Sequence, residues 1–68
     1  MNLFVGDSTS GQAITDASFN FDWYNYGNGW YYIAVGADTW VLAAAPGYTS
    51  AWIDSDSFSY AYLYLAYQ

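Results

Sequence analysis

Residues 19–35, FNFDWYNYGNGWYYIAV, place two aromatic runs on either side of Gly27-Asn28-Gly29. Aromatic side chains suit the pleated, half-buried surface of a strand, and glycine with asparagine supplies the positive φ angles that a primed two-residue turn demands. The stretch therefore predicts a tight β-hairpin. With a period of two, Phe19, Phe21 and Trp23 share one face of the first strand, and Trp30, Tyr32 and Ala34 become their cross-strand partners. Asn20 and Asp22 point the other way. The hairpin thus offers an aromatic face that the rest of the chain has to cover.

Outward from the hairpin, residues 2–5 form a short candidate strand, and residues 6–12 (GDSTSGQ) form a polar, glycine-bracketed turn or loop. Residues 13–17 read as a short strand running into Phe19, since Thr15, Asp16 and Ser18 are poor helix formers. Downstream, Gly36-Ala37-Asp38 punctuates the chain, and residues 39–45 (TWVLAAA) predict a third strand. An odd-numbered connection adds Trp40, Leu42 and Ala44 to the aromatic face and gives a three-stranded meander. Pro46-Gly47 ends it, because proline lacks the amide donor and glycine is free to turn. Residues 48–53 (YTSAWI) predict a fourth strand, residues 54–57 (DSDS) a polar turn, and residues 58–67 (FSYAYLYLAY) a fifth strand. In this last segment Phe58, Tyr60, Tyr62 and Tyr64 line one face, with Ala61, Leu63, Leu65 and Tyr67 on the other. Neither face is charged, so both call for burial. The expectation is an all-β chain, a small antiparallel meander, sandwich or partly open barrel of about five strands, with residues 1–68 as a single domain.

Sixty-eight residues lie in the size range where a lone hydrophobic core is marginal. The usual staples are missing: without cysteine there is no disulfide, and without cysteine or histidine there is no structural zinc site. Four Trp, nine Tyr and four Phe stand in their place. Six Asp are the whole charge inventory, with no Glu, Lys, Arg or His and a net charge of −6. No side-chain ion pair can form, so each Asp needs water, hydrogen-bond donors or a metal ion. Nothing can neutralise a phosphate, which excludes nucleic acid and an anionic membrane surface as partners. The first residues have neither the basic start nor the long apolar run of a signal peptide, and no stretch has the 18 or more apolar residues of a spanning helix. A membrane β-barrel fits poorly, since about five strands cannot close one of eight or more.

The catalytic inventory is nearly empty, because the usual bases and nucleophile partners are absent. An enzyme is not expected. Asp54 and Asp56, two residues apart, project from one face of an extended segment at roughly 6–7 Å, and with neighbouring hydroxyl and carbonyl oxygens they make a candidate calcium site. No other cofactor is suggested. Residues 6–11 (GDSTSG) have the glycine bracket of a phosphate cradle but no lysine. Trp23, Trp30, Tyr32, Trp40 and Trp52 form a candidate ligand platform, since their rings present flat apolar faces with polar tips suited to carbohydrate. Trp30-Tyr31-Tyr32-Ile33 resembles the aromatic core of the choline-binding cell-wall repeats, over one short stretch that occurs once rather than in tandem.

Two functions follow as expectations. The first is a structural, self-associating β-subunit of filament, coat or surface-layer type, a homo-oligomer or polymer at an extracellular or virion surface. Its association strand comprises Phe58, Tyr60, Tyr62, Leu63, Tyr64 and Leu65, without the edge lysines that normally block strand addition. The second is a small non-catalytic binding module for carbohydrate or protein with an exposed Tyr and Trp surface.

Overall fold

The computed structural model describes residues 1–55 and 60–68. Among these residues seven short strands form in chain order: β1 (Asn2–Asp7), β2 (Ser18–Phe19), β3 (Trp23–Gly27), β4 (Trp30–Ile33), β5 (Trp40–Ala44), β6 (Ala51–Asp54) and β7 (Tyr60–Leu65). They divide into a four-stranded sheet A, in the order β3-β4-β1-β7, and a three-stranded sheet B, in the order β2-β5-β6. The chain is all-β, and neither sheet closes into a barrel.

The core is aliphatic more than aromatic. Leu3, Val5, Tyr31, Ile33, Ala61 and Leu65 from sheet A meet Phe19, Val41 and Ala43 from sheet B, with Ile14, Ala17 and Ala45 closing the ends. A tyrosine sent inward needs a partner for its hydroxyl, whereas Leu, Val and Ala need none. In β7 the alternation therefore resolves with Ala61 and Leu65 buried, Leu63 half-buried, and Tyr60, Tyr62 and Tyr64 in solvent. Tyr31 is the instructive exception. It is fully buried, and its hydroxyl donates to the Ile14 carbonyl at 2.6 Å while accepting from the Ala17 amide at 3.1 Å, pinning the 14–17 loop to the core.

The hairpin forms with its primed turn: Asn28 has φ 56° and Gly29 φ 88°. Its register differs from the simple one. The ladder pairs Trp23 with Ile33, Tyr24 with Tyr32 and Asn25 with Tyr31, then shifts so that Gly27 meets Trp30, leaving Tyr26 as the extra residue of a bulge. One extra residue reverses the facing of everything before it. Trp23 consequently lies on the core side beside Ile33, with its ring edge on Phe19 at 5.8 Å, while Trp30 and Tyr32 point away from the core. The expected grouping of Phe19, Phe21 and Trp23 with Trp30, Tyr32 and Ala34 is thereby corrected.

One further expectation is corrected. Residues 40–44 do not extend the hairpin into a meander; β5 pairs with β2 and β6 in sheet B, so Trp40, Leu42 and Ala44 lie on the far side of the molecule. The candidate strand at residues 2–5 is β1, an inner strand of sheet A, antiparallel to β4 and parallel to β7. A parallel pair requires a long crossover, and here the excursion through sheet B supplies it. Gly6 leaves room on β1 for the neighbouring rings: a Cβ there would lie 2.9 Å from both the Phe4 and the Tyr64 ring.

Polar side chains finish the edges. Asn20 Oδ1 accepts from the Leu42 amide at 3.0 Å where β2 has ended, and the Ser55 hydroxyl donates to the Gly36 carbonyl at 2.7 Å while accepting from the Thr39 amide at 2.9 Å. Asp7, at the end of β1, accepts from the Thr9 and Ser10 amides at 2.7 and 3.0 Å and from the Tyr48 hydroxyl at 2.7 Å. The 6–12 segment is thus a carboxylate-capped turn. These three donors hold the Asp7 carboxyl below its ordinary range, the Tyr48 hydroxyl being the largest influence. The same hydrogen bond raises the Tyr48 phenol, and burial raises that of Tyr31.

Candidate functional site: an aromatic sheet face

The outer face of sheet A gathers aromatic residues from all four strands. Register places Tyr24, Tyr32, Asn2 and Tyr60 in one row, Trp30, Phe4 and Tyr62 in the next, and Gly6 with Tyr64 beyond. The rings meet in tilted and edge-to-face contacts. Phe4 lies 5.5 Å from Trp30, 5.8 Å from Tyr62 and 6.1 Å from Tyr64, and Trp30 lies 5.4 Å from Tyr62 and 6.1 Å from Tyr60. Tyr26, thrown outward by the bulge, packs edge-on against Tyr24 at 5.1 Å. Missing the bulge hid both Tyr24 and Tyr26 as members of this face, and Phe4 gave no signal beyond its place in a short apolar run.

No residue that the four strands place on this face is charged. Asn2 is the carboxamide that the strands set among the rings, and the nearest carboxylate along the chain, Asp7, ends β1 in register with Leu65 on the other side of the sheet. The six tyrosines Tyr24, Tyr26, Tyr32, Tyr60, Tyr62 and Tyr64 are 41–66% exposed. At ~150–250 Å² for a whole aromatic side chain they present roughly 500–850 Å². Monomers seldom expose an apolar patch beyond about 300–600 Å².

The proposed ligand platform is not one surface. Trp30 and Tyr32 lie on the outer face of sheet A and Trp23 at its core-side edge, while Trp40 and Trp52, 60% and 58% exposed, lie on the outer face of sheet B with Leu42 and Asp54. The expected association strand also divides. Tyr60, Tyr62 and Tyr64 are available at the surface, but Leu63 and Leu65 belong to the core side. Phe58 lies outside the described residues.

Of the candidate calcium pair, Asp54 ends β6 half-buried across from Trp40, and Asp56 lies outside the described residues. Among the described residues no group of three or more carboxylates is placed to hold a metal ion. No described helix is long and apolar enough to cross a membrane.

No family model, curated protein or solved structure matches the chain.

Proposed function

We propose that the chain is a non-catalytic, self-associating structural β-subunit, of filament, coat or surface-layer kind, that stacks on further copies of itself through the outer face of sheet A. The observation that carries this is the uncharged aromatic field on that face. Its exposed area, roughly 500–850 Å², reaches at its upper end the ~800 Å² that each partner contributes to a standard interface. Two such faces related by a two-fold axis are self-complementary, since ring edges and ring faces attract and every contact is made twice. Although the chain carries −6, the contact brings no carboxylates into register within the field.

Two features support growth beyond a pair. Trp40 and Trp52 give the opposite face of the sandwich an aromatic surface of its own. In addition β7 is, among the described residues, an edge strand that pairs with β1, with a further bridge from Tyr67 to Tyr48 beyond its end, and its Tyr60–Leu65 span has no proline, glycine or charge to discourage another strand.

Sedimentation velocity over a wide concentration range, with electron microscopy of the heaviest fractions, tests the proposal. Mass that rises with concentration into regular particles or filaments is expected. A monodisperse monomer up to the highest soluble concentration would refute it.

A further inference from the structure

At the hairpin end of sheet A the aromatic field dips into an open depression of about 430 Å³ lined by Asn2, Tyr26, Gly27, Asn28, Trp30 and Tyr60. This lies within the ~300–1,000 Å³ usual for small-molecule sites. The turn creates it: the Tyr26 bulge throws one ring outward at the rim, and Gly27 leaves that side of the strand bare, with only open space where a Cβ would stand. Trp30 and Tyr60 lie edge to face at 6.1 Å, an 82° interplanar angle that sets two ring surfaces at a corner.

The geometry points to a binding site for a neutral carbohydrate, a pyranose mono- or oligosaccharide, in this depression. A pyranose presents an apolar C–H face and a rim of hydroxyls. The rings of Trp30, Tyr60 and Tyr26 match the first, and the carboxamides of Asn2 and Asn28, each both donor and acceptor, with the phenolic hydroxyls, match the second. Charge narrows the class from both sides. With no cationic side chain and a net charge of −6, the chain repels uronates and sulfated or sialylated sugars. Among the described residues the lining holds no carboxylate, so an ammonium ligand finds ring faces but no counter-ion there. The inference is independent of self-association, although stacking on this face would cover the depression and make sugar and second copy compete.

The test is a two-dimensional NMR titration of the full chain with neutral trisaccharides (maltotriose, cellotriose and chitotriose in parallel) and with a heparin trisaccharide as the charged control. The expected result is saturable shifts for at least one neutral sugar, centred on the Trp30 indole N–H and the Asn2 and Asn28 carboxamides, with none for the control. Asn28→Gly keeps the positive-φ turn while removing the carboxamide, and should weaken that sugar about tenfold with unchanged melting; Trp30→Ala should abolish binding. Absence of saturable shifts with every neutral sugar at millimolar concentration would overturn the inference. So would equal binding of the heparin fragment, shifts centred on Trp40 and Trp52, or full affinity in Asn28→Gly.

Discussion

Replacing Tyr31 by Phe removes one oxygen atom from the centre of the molecule. The ring volume is kept, so no cavity opens beyond the hydroxyl itself. What is lost is the partner of the Ile14 carbonyl and of the Ala17 amide, held at 2.6 and 3.1 Å in residues that are 4% and 5% exposed. A buried polar group left unsatisfied costs ~1–3 kcal/mol, and two such groups, partly relieved by movement of the loop, give about 2–4 kcal/mol. A chain of this length has roughly 3–10 kcal/mol in hand, so the substitution takes a large share of the total. At ~4–8 °C per kcal/mol for a small domain, the melting temperature should fall by about 10–30 °C. Urea unfolding followed by tryptophan fluorescence is the assay, with both proteins at one low concentration because association adds apparent stability. The midpoint should drop with an unchanged slope. A loss under about 0.5 kcal/mol would show that the hydroxyl does not hold the 14–17 loop and would refute the reasoning.

Other perturbations separate the remaining features. Gly29→Ala should cost about 2–4 kcal/mol, because φ +88 is compounded by contacts of 2.8 Å to Ala13 and 3.1 Å to the Val5 carbonyl, whereas Gly27→Ala, at φ +91 with open space around it, should cost only the ~1–3 kcal/mol of backbone strain; equal losses in thermal melts would contradict this. The Asp7 carboxyl is depressed in the fold, so its contribution is present above the unfolded value of ~3.9 and disappears as pH falls through the folded one. Tyr48→Phe should therefore move the Asp7 titration upward in a carboxyl NMR experiment and flatten the acid limb of stability; an unmoved titration would show that the hydroxyl is not the main influence. The phenols of Tyr31 and Tyr48 are raised, so their contribution holds below ~10 and is lost as pH rises through the folded values, and wild type should unfold on the alkaline side more steeply than either Phe variant. Assembly should strengthen as pH falls toward ~3.9 or as salt or calcium is added, since only protons and ions can relieve six carboxylates; light scattering that is flat across pH, salt and calcium would argue against any charge switch.

Local chemistry was legible in the sequence and long-range pairing was not. Asn28 and Gly29 announced the hairpin because few other residues accept both positive φ angles, and the tyrosine alternation of residues 60–64 announced a strand. The facing of these strands was not legible. An ordinary amphipathic strand fixes its own register by hiding one apolar side, but residues 60–65 offer tyrosines on one side and Ala and Leu on the other, and the choice turns on where a phenolic hydroxyl finds a partner. The bulge at Tyr26 left no mark that distinguishes it from a plain two-residue turn, yet it alone sends Trp23 toward the core and Tyr24 outward. The inner position of β1 and its parallel pairing with β7 join residues some sixty positions apart, for which no local signal exists. The aromatic field depends on all three, so its members were nameable singly and not as a surface. The same facing explains why Leu63→Lys would test the core, while Tyr62→Lys tests the surface.

The most direct measurement compares Tyr62→Lys, on the outer face of sheet A, with Trp52→Lys, on the outer face of sheet B, by sedimentation equilibrium beside wild type. Both side chains are well exposed, at 60% and 58%, but Tyr62→Lys also gives up its ring contacts with Phe4 and Trp30 and should melt somewhat lower, so association is compared at a temperature where each variant is fully folded. An unpaired ammonium buried in the stacked face costs ~2 kcal/mol or more, so Tyr62→Lys should weaken the first association step at least about thirtyfold and Trp52→Lys far less. Unaltered association in Tyr62→Lys, or dissociation by Trp52→Lys alone, would show that the aromatic face of sheet A is not where copies of the chain meet.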